Sequence, residues 1–212
     1  MTNLISELER HGLRISGIVA PSADDNLPDW ATAIALISPR EPEFWSYFCA
    51  SPEWRDGQSD PVDRWSKRVL DHIASKYDGS AYFPFGGAPF YPFYSWAIRS
   101  GAFCASPIAF LADGTAGLFT SFRGAIALRN APEVELAPPP CSSCEGKPCI
   151  SACPASALTV EGYDVAACHG YLSGKDGADC LSRGCRVRRA CPVGTPNRPP
   201  EQSAYFMSEF HK

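Results

Sequence analysis

Three observations predict an α+β chain, with an N-terminal α/β sandwich domain followed by a small module held by cysteines. Residues 1–130 mix helix-period and strand-period apolar patterns. A proline-rich stretch, APEVELAPPP (131–140), breaks them off as a stiff linker. Beyond it, eight of the ten cysteines crowd into residues 141–191. The 212 residues are 45% hydrophobic with five tryptophans, enough for one medium core and one small one. The expected divisions are 1–130, the linker 131–140, a module at 141–195 and a tail at 196–212.

Leu4, Ile5 and Leu8 fall at helical spacing over residues 3–11, and Gly12 stops the helix. LRISGIVA (13–20) reads as a strand. So does ATAIALIS (31–38), an apolar run of the kind covered on both faces. Pro42 opens a helix through EFWSYFCA. Asp60-Pro61 reads as an N-cap followed by proline at the first helical position. The helix VDRWSKRVLDHIASKY then places Val62, Trp65, Val69, Ile73 and Tyr77 on one face, and Asp78-Gly79 ends it.

Residues 80–92, SAYFPFGGAPFYP, form either a packed loop or a flat aromatic wall for a planar ligand. FYSWAIRSG reads as a short helix. SPIAFLAD, a turn at Asp113-Gly114, GLFTSF and GAIALR read as paired strands, because Asp-Gly favours hairpins. Cys49 and Cys104, in apolar surroundings, read as inert core thiols. The tail within TPNRPPEQSAYFMSEFHK lacks clear periodicity and is expected to wrap the surface or fray, with Tyr205, Phe206 and Phe210 as anchors.

A formal charge of −4 gives no reason to expect nucleic acid. The opening MTNLISELERHG lacks the apolar stretch of a secretory signal, and no run approaches the roughly eighteen apolar residues of a membrane span. The expectation is a cytoplasmic protein with no membrane partner. In a reducing compartment, clustered cysteines more often bind metal than form disulfides.

Cys141, Cys144, Cys149 and Cys153 form C-x2-C-x4-C-x3-C-P. Cys168, Cys180, Cys185 and Cys191 follow more loosely, and Cys191 again precedes proline. Runs ending in Cys-Pro mark bacterial 4Fe–4S ferredoxins, where that last cysteine crosses over to the other cluster. Eight thiolates suffice for two such cubes in a ferredoxin-like module. Crossover assigns Cys141, Cys144, Cys149 and Cys191 to the first, and Cys153, Cys168, Cys180 and Cys185 to the second. Residues 145–148 lengthen one gap beyond the common spacing, which Gly146 permits.

ASALTVEGYDVAAC is expected to supply a short helix and turn that return Cys168 to the site. Zinc in four-cysteine sites is the alternative, although such sites rarely end in Cys-Pro. His169 has no second histidine at matching spacing and reads as a surface or packing residue. Arg183, Arg186, Arg188 and Arg189 crowd the last two cysteines. Two roles fit them: docking an acidic redox partner or raising a cluster's potential, and forming a solvated edge that offsets cluster charge.

The pieces CPASAL, AACHGYL and CRVRRACP stand in the order found in epoxyqueuosine reductases, and the module resembles that family. LERHGLRISGIVAP is similar to the family's opening helix and strand, and SGAFCASPIAFLADGTAGLFTSFRGAI to its ligand-domain hairpin. Together the similarity covers most of the chain. The resemblance implies a cobalamin-binding α/β domain ahead of a ferredoxin-like domain with two 4Fe–4S clusters. One departure matters. The reductases carry a catalytic aspartate in the segment corresponding to YFPFGGAPFYPF, yet no Asp or Glu lies between Gly79 and Ala112.

The leading expectation is therefore an electron-transfer protein with two low-potential 4Fe–4S clusters and a redox partner protein. The alternative is a corrinoid-dependent reductase whose clusters reduce cobalt, the corrin lying among Phe83, Phe85, Phe90, Tyr91 and Tyr94. A third reading is an iron–sulfur subunit whose N-terminal domain only binds a partner.

Overall fold

The computed structural model describes residues 3–212. The chain forms two compact units, each drawn from two stretches of sequence. One takes in the chain up to Ala102 together with Ser121–Leu136; the other joins Phe103–Thr120 to Ala137–Lys212. Phe103–Thr120, expected within the domain of residues 1–130, belongs instead to the unit of the cysteine runs.

The first unit begins with α1 (Leu4–Glu9), opened by Asn3, whose side chain accepts from the Ser6 N–H at 2.8 Å. Gly12 turns the chain at φ +66°, where a Cβ would lie 2.6 Å from Phe44 Cα. β1 (Leu13–Val19) follows and pairs antiparallel with β2 (Ala33–Pro39), which is buried along its whole length as its apolar run predicts.

Next come α2 (Glu43–Cys49), α3 (Pro52–Arg55) and α4 (Pro61–Lys76). Asp60 stands at the N-cap position of α4 but does not cap with its side chain. Its left-handed backbone, φ +51°, turns the chain into Pro61, and its carbonyl accepts from Asp63 and Arg64 instead. Val62, Trp65, Val69 and Ile73 are buried as expected, whereas Tyr77 caps the helix end half-exposed. Each such buried side chain contributes about 1.5–3 kcal/mol. Phe44 and Phe48 meet Trp65 edge-on at 5.5 and 6.0 Å, locking α2 against α4.

β3 (Ser80–Tyr82) and α5 (Phe93–Arg99) precede β4 (Phe103–Ala105) and β5 (Leu111–Asp113), a hairpin of the second unit. β6 (Gly124–Leu128) then returns to the first unit, completing an all-antiparallel sheet of order β1-β2-β6-β3. The chain is thus α+β with antiparallel sheets.

The expected pairing across Asp113-Gly114 is reduced to a single bridge, Asp113 with Gly117. The Asp113 carboxylate accepts from the Thr115 and Ala116 N–H groups at 2.8 and 2.9 Å and from the Thr120 hydroxyl at 2.6 Å, curling GLFTSF into a turn. GAIALR is consequently free to insert as β6 between β2 and β3.

In the second unit, β7 (Leu158–Thr159) and β8 (Gly162–Tyr163) make a hairpin that supplies the expected turn, and the expected short helix begins after it. α6 (Val165–Ser173), capped by Asp164, carries Cys168. α7 (Ala178–Arg183) and α8 (Arg186–Arg189) follow. The tail is neither wrapped nor frayed: Pro200–His211 is helix α9. Its buried residues are Gln202 and Ser203, polar side chains that hide the helical period from an apolar count, and Ser203 fits against Gly184. Among the described residues, no helix is long and apolar enough to cross a membrane.

Asp25, 2% exposed, ties the first unit together. It accepts from Trp96 Nε1 at 2.8 Å, from Arg99 at 2.9–3.0 Å and from the Ser22 N–H at 2.7 Å. Burial alone would raise its pKa; the hydrogen bonds outweigh burial and hold it at about 2. The folded value lies below the ordinary 3.8, so this stabilisation is full above that pH and is lost as pH falls from 3.8 to about 2. Asp25→Asn is expected to cost about 2–3 kcal/mol at pH 7. The deficit should shrink towards zero near pH 2, as read by denaturant unfolding followed through tryptophan fluorescence.

Candidate metal centre

The second unit has a small apolar core: Ile108, Ala112, Leu118, Leu158 and Val187, with the buried Cys149 and Cys191 among them. Cys104, Cys141, Cys153 and Cys185 pack around the same cluster. Cysteines from both ends of the module therefore share one core. Tight local turns present them: Cys141 and Cys149 each sit in a single 3-10 turn with proline at its start, the second entered through Lys147 at φ +36°.

Cys141, Cys144, Cys149 and Cys191 line one cavity of about 360 Å³, open mouth included. Leu118, Pro107, Pro140, Pro148 and Pro192 complete most of its wall. Burial raises the Cys141 thiol to about 12, helped by a hydrogen bond with Cys104 and by the nearby Cys191 and Cys149. Burial also raises Cys149, against the N–H groups of Cys149 and Ile150, which point at its sulfur. N–H groups aimed at sulfur are the interactions that tune thiolate-ligated metals.

The other four cysteines neighbour one another. Cys168, raised chiefly by burial, faces Cys185 and Cys153, and the Tyr163 hydroxyl donates to its sulfur. Cys180, also raised by burial, receives the Arg186 backbone N–H and faces Cys185. Thiols raised in this way hold their protons at neutral pH, and a bound metal would displace them. All ten cysteines are unbridged. Among the described residues, no three His, Cys, Asp or Glu side chains form a group that would hold a single ion.

Cys104 is the thiol that sequence reasoning misjudged. β4 carries it against the 3-10 turn of Cys141, within hydrogen-bonding reach of that sulfur. A single cysteine 37 positions upstream gives no sequence signal for such a contact. Tyr163, five residues before Cys168, also went unmarked; its hydroxyl meets that sulfur from the β7–β8 hairpin. Cys49, half-buried with its thiol raised by burial, belongs to the first unit.

The four arginines split. Asp179 takes Arg189, with Arg183 at 3.5 Å and Arg186 at 3.9 Å, and Arg183 and Arg186 face solvent. Arg188 turns inward, stacking over Phe110 at 4.9 Å and donating to the Leu118 carbonyl. His169 packs against Phe210 at 4.7 Å and His211 at 5.3 Å. In the first unit, the rings of residues 82–94 fall into separate groups. Tyr82 meets Tyr91, which stacks on Trp96; Phe83 pairs with Phe85; Phe90 and Tyr94 are exposed.

Gly117 is the tightest point around the first cavity. At φ +54°, a Cβ there would run into Val193 O and lie 2.7 Å from Cys191 Sγ. Gly117→Ala should destabilise this unit by about 2–4 kcal/mol in thermal or denaturant unfolding. Gly146→Ala, with open space around it, should stay within about 0.5 kcal/mol. Compared with protein-family models, curated proteins and solved structures, the chain matches none.

Proposed function

We propose that this chain is an iron–sulfur electron-transfer protein, its second unit a ferredoxin-like module for two 4Fe–4S cubes. Cys141, Cys144, Cys149 and Cys191 would hold one; Cys153, Cys168, Cys180 and Cys185 would hold the other. The observation that carries this reading is the cavity lined by Cys141, Cys144 and Cys149 together with Cys191, some forty residues further along. Such a grouping is what crossover of the last Cys-Pro requires. Cubes of this kind supply one-electron redox chemistry, and the chain supplies the rest.

Eight thiols would lose their protons to solvent on binding, and the thiolates left behind would anchor the metal. Ile150 and Arg186 direct backbone N–H groups at sulfur, stabilising thiolate charge. Leu118 and the four prolines face the first site with apolar surface, lowering the dielectric around added charge. A reducing, cytoplasmic setting suits ten unbridged thiols. A redox partner protein is the expected donor or acceptor, and neither nucleic acid nor a membrane is invoked.

Anaerobic reconstitution should yield about eight iron atoms per chain and dithionite-reducible EPR signals. Stoichiometric zinc with no such signals would sink the reading. Cys153→Ser should damage the second cube although it lies in the first run; survival of both signals would overturn the crossover assignment.

A second reading, a corrinoid-dependent reductase, draws on the exposed rings of Phe90 (81%) and Tyr94 (51%) in the first unit. Titration of the reconstituted protein with cob(II)alamin should then change the cobalt EPR spectrum saturably. An unchanged spectrum leaves the electron carrier alone.

A further inference from the structure

The surroundings of the two cysteine groups differ in charge. Beside Cys168 and Cys185 lies a connected set of side chains. Arg188 donates to Leu118 O and covers the Phe110 ring; Phe110 meets Tyr163 edge-on at 6.0 Å; the Tyr163 hydroxyl donates to Cys168 Sγ. The Arg188 charge faces the Cys185 thiol and Tyr163. Burial lowers the Arg188 pKa, yet a guanidinium starts so high that it stays a cation. Asp179, the acid nearest this group, is engaged by Arg183, Arg186 and Arg189.

The other group has no comparable charge in its wall. Leu118 and four prolines dominate it, and Lys147, its cation, is exposed to water that screens it. Its added side-chain contact is Cys104, which accepts from the Cys141 thiol while its own S–H points to the Ala112 carbonyl.

We propose that the two cubes are unequal, the one on Cys153, Cys168, Cys180 and Cys185 being the more easily reduced, because Arg188 and Tyr163 present a half-buried positive charge and a hydroxyl donor to its thiolates. This rests on the iron–sulfur reading above. Reduction adds one negative charge to a cube, and a nearby cation in a low-dielectric setting stabilises that charge. An electron arriving at either cube therefore settles on the second. Arg188 and Tyr163 are positioning and tuning residues, acting through Cys185 and Cys168.

The test is a redox-poised EPR titration of the reconstituted full chain, with Cys144→Ser used to assign the first cube's signal. Two separated midpoints are expected, the second cube's the higher. Arg188→Met should reduce that cube's ease of reduction roughly tenfold, about 59 mV for one electron. Arg188→Lys should recover most of it, Tyr163→Phe should give a smaller drop, and the first cube should not move. An unmoved second midpoint in Arg188→Met, or a shift confined to the first cube, overturns the proposal. Should Arg188→Met not hold iron, Tyr163→Phe decides, and an unchanged midpoint there overturns it equally. Wild-type protein that takes up no iron and sulfide would instead overturn the underlying function.

Discussion

The cysteine unit depends on one close approach. At Gly117, the segment that follows the Asp113 turn runs against the backbone of Val193 and the sulfur of Cys191, with no room for a side chain. A matching constraint holds at Gly194, φ +83°, where a Cβ would meet the Ala116 carbonyl. Two stretches some seventy-five residues apart are thereby fastened backbone to backbone. Cys191 is fixed beside Leu118, and through Leu118 beside the cavity that it shares with Cys141, Cys144 and Cys149. A domain of this size cannot bury enough apolar surface to tolerate loose packing. Glycine contact replaces side-chain interdigitation here.

Asp113 makes that approach possible. Its carboxylate gathers two backbone N–H groups and the Thr120 hydroxyl. A strand that would have continued past Gly117 is thus ended, and Leu118 and Phe119 turn into the core. Leu118 then serves twice, as apolar wall of the first cavity and, through its carbonyl, as anchor for Arg188. The same residue that keeps charge out of one site holds a charge beside the other.

The first unit solves a different problem. Its sheet buries β2 and β6 completely, so polar side chains there must find partners within the protein. Ser16 and Ser38 pair at 2.8 Å where β1 bulges, and Asp25 collects Trp96, Arg99 and Ser22. Buried charge of this kind stabilises because it is fully hydrogen-bonded, and removing either partner strands the other.

By itself the sequence determined the local elements whose signal is local. The apolar run of β2, the stripe of Val62, Trp65, Val69 and Ile73 on α4, and the helices after Asn3 and Pro92 follow from side-chain period and nearby punctuation. The spacing of Cys141, Cys144, Cys149 and Cys153 likewise marks a thiolate loop, since consecutive ligands around one centre must lie few residues apart. Tertiary structure alone decided what rests on distant partners. It withdrew GLFTSF from a hairpin, because one carboxylate holds the Thr115 and Ala116 N–H groups ahead of it and the Thr120 hydroxyl within it in a turn. It made a helix of the tail, whose packed residues are Gln202 and Ser203 rather than apolar ones. It also brought Cys104 to Cys141 from a separate element, which no spacing rule registers because the contact is set by packing, and of the four arginines near Cys185 it set Arg188 over Phe110.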